Sequence, residues 1–109
     1  MKIFVDDVRD PPDDTWILVT TYESAIDLIS HNYLKINEIS LDHDLGGEYD
    51  GVTVHKTGYD IATVIESIAF KTGYVPKIKV HSMNPVGASN ILACIKAIQK
   101  TIAEYQKKK

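Results

Sequence analysis

One cysteine in 109 residues rules out an internal disulfide, so this chain must be held by packing. Cys94 falls within a helical apolar pattern, where a small buried thiol is expected. There is no basic excess. Twelve lysines and arginines stand against fifteen aspartates and glutamates, giving a net charge of −3 and a pI near 5.7. That balance argues against duplex DNA or an anionic membrane surface as the partner, since both reward a basic face. The three terminal lysines, Lys107 to Lys109, read as a solvated helix end. No apolar run approaches the roughly 20 residues that cross a bilayer. Acidic residues begin at Asp6, before the apolar core of a signal peptide could form. A cytoplasmic protein with no membrane partner is the expectation. The zinc templates H-E-x-x-H and paired cysteines are both missing.

What is present is ordinary for a globular chain: 44% hydrophobic and 25% charged residues. The length fits a single domain over residues 1–109. Met1 to Val5 is a short apolar run that stops at Asp6-Asp7 and reads as a buried strand. Asp10-Pro11-Pro12-Asp13-Asp14 is loop chemistry. Trp16 to Thr20 reads as a second strand. Thr20 and Glu23 have the spacing of a capping box, and Tyr22, Ala25, Ile26, Ile29 and Tyr33 follow at helical spacing. That predicts a helix from Tyr22 to His31.

Glu38 to Leu41 reads as a third strand leading into Asp42. The Gly- and Asp-rich stretch from His43 to Thr57 is long for a connection, which suits a functional loop. Asp50-Gly51 within it suits a small hairpin. Thr57 begins a second helix striped by Ile61, Val64, Ile65 and Ile68, with Gly73 as its stop. Lys77 to His81 reads as a fourth strand. Asn84-Pro85 opens a long last helix striped by Ile91, Leu92, Ile95, Ile98 and Ile102. The order β-β-α-β-α-β-α predicts a mostly parallel four-stranded sheet with helices packed against it. Such sheets bind ligands at the carboxyl ends of their strands. Asp6, Asp7, Asp42, His81 and Ser82 should therefore share one rim.

Three constellations at that rim carry chemistry. Asp6, Asp7 and Asp42 would repel one another unless a cation lies between them, and a hard ion such as Mg²⁺ or Mn²⁺ takes oxygen ligands. In Asp42-His43-Asp44-Leu45-Gly46-Gly47, a histidine suited to proton transfer is flanked by carboxylates that can orient it. The glycines, Gly46 first, let backbone N–H groups approach an anion. In His81-Ser82-Met83-Asn84-Pro85, a strand ends in an acid–base group and a hydroxyl just before a helix N-terminus, a place that favours phosphate. Arg9 can clamp a phosphate or pair with Asp10 or Asp13. The weaker histidines are His31, explained by a helix C-terminus, and His55, in the long loop. Each group also has a plain reading: Asp7 as a turn former, His43 as an exposed turn residue, Ser82 and Asn84 as cap residues.

These motifs resemble the site of a receiver (CheY-like) domain. The strings Asp6-Asp7-Val8-Arg9 with Pro11-Pro12, Leu41-Asp42-His43-Asp44-Leu45-Gly46 and His81-Ser82-x-Asn84-Pro85-x-Gly87 are similar to the cyclic-phosphate-processing receiver-like subfamily. The resemblance runs from Met1 to about Ile102. It implies a small three-layer flavodoxin-like fold, with Mg²⁺ or Mn²⁺ on Asp6, Asp7 and Asp42. It implies a Ser82 contact to a phosphoryl oxygen, and a backbone carbonyl at Asp44 completing the metal shell.

Two features depart from a phosphorelay receiver. Nine residues separate Asp6 from Trp16, too few for a first crossover helix, which leaves the direction of the second strand open. No fifth strand with its lysine follows the fourth. The expected activity is therefore that of a metal-dependent phosphoesterase rather than a two-component receiver. Its substrate would be a cyclic phosphate, either a nucleotide or an RNA end. His43 and His81 would be acid and base, Asp44 would orient His43, and Ser82, Arg9 and Gly46 would hold phosphate. The alternatives are a binder that releases such a ligand unchanged, and a degenerate receiver that assembles through a sheet edge or its last helix.

Overall fold

The computed structural model of the chain describes residues 1–7, 9–42, 57–81 and 85–107, with side chains to residue 104. Alternation of side chains along four short runs makes the sheet. These are β1 (Lys2–Val5), β2 (Trp16–Val19), β3 (Glu38–Leu41) and β4 (Lys77–Val80), in the order β2-β1-β3-β4. All three pairings are parallel, which settles the direction of β2. The register sets Ile3 beside Ile17 and Ile39, and Ile39 beside Ile78. Val5 likewise meets Val19 and Leu41, and Leu41 meets Val80. Because successive side chains point to opposite faces, this set forms one apolar face. Lys2, Phe4, Trp16, Leu18, Glu38, Ser40, Lys77 and Lys79 fall on the other.

Three helices bury the apolar face: α1 (Tyr22–Asn32), α2 (Gly58–Thr72) and α3 (Pro85–Lys107). A single core cluster unites Ile3, Val5, Ile39, Leu41 and Ile78 with Ala25 and Ile29 of α1, Ile61 and Ile65 of α2, and Ile91 and Ile95 of α3. Burying each of these isoleucines contributes about 1.5–3 kcal/mol. No residue of the opposite sheet face belongs to that cluster. Among the described residues helices cover the apolar sheet face, and an all-parallel four-stranded sheet with three helices is consistent with the receiver-like, flavodoxin-like fold expected from the sequence. The first crossover helix is lacking, as the short β1–β2 connection implied, and the right-handed joining of parallel strands routes that connection past the Phe4 face. A proline-containing loop there takes the place of a crossover helix. Lys2, on that face, helps hold the Asp13 carboxyl below its ordinary range, after the larger effect of the hydrogen bonds it accepts from the Thr15 hydroxyl and N–H.

Helix ends follow local chemistry. The cap of α1 is Thr21 rather than Thr20, and its hydroxyl oxygen accepts the Ser24 N–H at 3.1 Å. Val19 still belongs to the ladder, where its carbonyl accepts the Asp6 N–H, so Thr20 is needed to leave the sheet. A full capping box occurs instead at α2. There the Thr57 side chain accepts from the helix, and Asp60 Oδ2 accepts the Thr57 N–H at 2.7 Å. Gly73 ends α2 with φ of 74°, a left-handed value that favours glycine. In α3, Ile91, Ile95, Ile98 and Ile102 are buried, but Leu92 lies outside the stripe at 44% exposure. Cys94 is half-buried, and burial pushes its thiol up, away from reactivity. The hairpin expected around Asp50-Gly51 lies outside the described residues.

Candidate functional site

Each parallel strand delivers a polar residue to the same rim, and a ladder hydrogen bond holds each one in place. Asp6 follows β1 and its N–H donates to Val19 O at 3.1 Å. Asp42 follows β3 and donates to Val5 O at 3.0 Å, and His81 follows β4 and donates to Leu41 O at 3.0 Å. The carboxylates of Asp6, Asp7 and Asp42 converge, each offering one oxygen within 4.8 Å of the others. Asp6 is buried, Asp42 is half-buried and Asp7 is exposed.

The close approach of α2 defines the floor beside Asp42. A Cβ on Gly58 would come within 2.1 Å of the Asp42 carbonyl oxygen, so only glycine lets the first turn of α2 sit there. That turn places the positive end of the helix dipole next to the acidic cluster.

Asp6 is 1% exposed, and both of its oxygens accept hydrogen bonds. Oδ1 accepts the Arg9 backbone N–H at 3.1 Å, and Oδ2 faces His81 Nε2 at 2.9 Å. The His81 ring leans across β3. Its Nδ1 lies 2.6 Å from Ser40 Oγ, and its plane stacks on Phe4 with centroids 4.3 Å apart and an interplanar angle of 7°. Phe4 is supported in turn by an edge contact with Trp16, whose ring carries Lys2 Nζ at 4.8 Å. Arg9 is exposed, and its Nη1 donates to the His81 carbonyl at 2.6 Å rather than to Asp10 or Asp13. The guanidinium therefore ties the β1–β2 loop to the end of β4 and leaves a cation at the rim.

Of the residues singled out in the sequence, Asp6, Asp7, Asp42, His81 and Arg9 are gathered into one site. His43, Asp44, Gly46 and Ser82 lie outside the described residues, as do His55 and Asn84. His31 stands apart, exposed on α1 with Nδ1 3.2 Å from Asp27 Oδ1. Two contributors were not foreseen. Ser40 is a lone hydroxyl inside the apolar run of β3, and Phe4 shares its register row. The alternation that puts Phe4 and Ser40 on the face opposite the core was the available signal.

Three convergent carboxylates suit a hard divalent cation, which prefers oxygen donors and keeps several waters of its own. Nitrogen reaches the cluster through His81 alone among the described residues, which makes a soft-metal centre a poor match. Neither curated proteins nor solved structures give a match to this chain. The family model of the cyclic-phosphate processing receiver domain matches residues 1–97, nearly the entire folded unit. With its all-parallel sheet, its acidic rim and that match over most of its length, the chain belongs to the cyclic-phosphate processing receiver domain family.

Proposed function

We propose that the chain is a metal-dependent phosphoesterase that opens a cyclic phosphate, either a 2′,3′-cyclic end or a cyclic nucleotide. The observation that carries this reading is the convergence of Asp6, Asp7 and Asp42 on one rim of the sheet. Those carboxylates would hold Mg²⁺ or Mn²⁺, which when bound polarises a phosphoryl oxygen and activates water. Arg9, already at the rim, supplies a planar set of donors suited to phosphate. Ser82 and Gly46 would hold the remaining oxygens. His43, oriented by Asp44, and His81 are the acid–base pair of this reading. For His81 to exchange a proton with substrate, its Nε2 would have to leave Asp6. Hydrolysis adds one water across a P–O bond of the ring and leaves a phosphate monoester and a free hydroxyl.

A second reading has its own support. Both ring nitrogens of His81 are engaged within the protein. That suits a site that binds a cyclic phosphate without turning it over. One experiment separates the two. The protein is incubated with 2′,3′-cyclic mononucleotides, 3′,5′-cyclic mononucleotides and cyclic dinucleotides, with Mg²⁺ or Mn²⁺ and with EDTA, and products are read by mass spectrometry. A metal-dependent gain of one water on one class is expected. Ligand retained unchanged favours the binder. Neither binding nor turnover would leave an interaction module built on a receiver fold.

A further inference from the structure

We infer that Ser40 and His81 form a positioning pair that fixes the Asp6 carboxylate, with Ser40 acting on Asp6 only through the histidine ring. This inference rests on the reading of Asp6, Asp7 and Asp42 as a divalent-cation site.

The argument begins with strand order. β4, which carries His81, is separated from β1, which carries Asp6, by the whole of β3. The two residues are 75 positions apart in the chain, yet Nε2 and Oδ2 meet at 2.9 Å. The ring can span that gap only by lying over β3, and the residue of that strand it meets is Ser40, in register with Phe4 on one side and Lys79 on the other. A larger side chain at 40 would occupy the volume the imidazole needs. A small apolar one would leave Nδ1 without a partner under a nearly closed surface, since Ser40 is only 6% exposed. Serine meets both conditions, and its Oγ sits 2.6 Å from Nδ1.

The hydrogen-bond roles then follow. A carboxylate only accepts, so Nε2 carries the proton toward Asp6. In the neutral ring Nδ1 is left as acceptor for the Ser40 hydroxyl. Stacking on Phe4 at 4.3 Å fixes the plane of the ring, leaving little rotational freedom. The result is a buried carboxylate with one oxygen fixed by the Arg9 N–H and the other by a ring that is itself held at its far nitrogen and on one face. Asp6 is the most buried of the three carboxylates, with Asp42 half-buried and Asp7 exposed. Ser40 is a positioning residue, because its hydroxyl is linked to Asp6 through the His81 ring.

The test measures Mn²⁺ affinity by calorimetry and the His81 ring nitrogens by long-range ¹H–¹⁵N correlation near pH 8. Both are applied to the unsubstituted protein, Ser40→Ala, Ser40→Thr, His81→Ala and the Ser40→Ala/His81→Ala double variant. Groups that orient a metal ligand typically account for about 10–100-fold in affinity, and a loss in that range is expected for Ser40→Ala. The Nδ1 resonance should move toward that of a free acceptor nitrogen in Ser40→Ala and return toward its original position in Ser40→Thr. In the His81→Ala background, Ser40→Ala should produce no further loss, the non-additivity of a residue acting through another. Additive losses, or an unmoved Nδ1 with unchanged affinity, overturn the inference while leaving the cation site standing. Absence of Mn²⁺ binding by the unsubstituted protein overturns the reading on which it rests, and the inference with it.

Discussion

Asp6, Asp7 and Asp42 place three like charges within 4.8 Å, an arrangement that costs the free protein stability and is relieved by a cation. Asp42→Asn removes one of the three. The metal-free variant should melt at or above the temperature of the unsubstituted protein, gain less from added Mg²⁺ and lose turnover. Thermal melts with and without Mg²⁺, alongside the mass-spectrometric assay, decide this, and full activity in the variant would falsify the assignment. Gly58→Ala acts on the same site from the other side. Its Cβ has no room against the Asp42 carbonyl, so α2 must shift. Overpacking of this kind costs about 1–3 kcal/mol. A lower urea midpoint accompanied by weaker Mg²⁺ stabilisation is expected, whereas lost stability with intact Mg²⁺ response would show that Asp42 tolerates the shift. The acidic residues were legible in the sequence because each directly follows an apolar run, and parallel sheets gather strand ends. Ser40 was not legible, because a lone serine within a strand looks like a tolerated core hydroxyl until the register shows what leans across it.

At the scale of elements, local chemistry decided most boundaries. The strands ended where polar residues began, and Gly73 and Pro85 stood where helices stop and start. The cap of α1 fell one residue late because the sheet claimed Val19 first, a tertiary demand that spacing alone does not reveal. Leu92 looked like part of the α3 stripe only because it is apolar. The 3.6-residue period through Ile91, Ile95, Ile98 and Ile102 passes it by. At α2 the capping box is complete, so Thr57→Ala should lower stability by about 0.5–2 kcal/mol in urea unfolding, with the helix start as the region losing amide protection.

Two tyrosines join the α1–β3 link to the α2–β4 link. Tyr33 donates to the Tyr74 carbonyl at 2.8 Å, and Tyr74 donates to the Ile36 carbonyl at 2.6 Å. Burial, and secondarily Tyr74, pushes the Tyr33 phenol up to about 12. Its folded value lies above the unfolded one near 10, so the unfolded chain releases its proton first as pH rises. The stability from the neutral phenol is complete below pH 10 and is lost between there and about 12. Melting temperatures across that window should fall less steeply in Tyr33→Phe, and identical slopes would remove Tyr33 from the account.

For the molecule as a whole, alternating strands and helices disclosed the parallel sheet, but not that its helices would share one face. That outcome follows from connection lengths. With only a short loop between β1 and β2, no helix among the described residues passes over the Phe4 side, and on that face His81 reaches Asp6. The same connectivity has a consequence in time. The β1–β3 and β3–β4 pairings each close a long stretch of chain, and the rim draws on the ends of β1, β3 and β4. Helices form within microseconds, whereas non-local parallel pairings wait on chain closure. In stopped-flow refolding, far-ultraviolet ellipticity should therefore recover ahead of any Mn²⁺-dependent signal. On the proposed cation reading, Asp6 gains its His81 support only when β4 docks, so a nascent chain would pass through collapsed, helical forms before the site is in place.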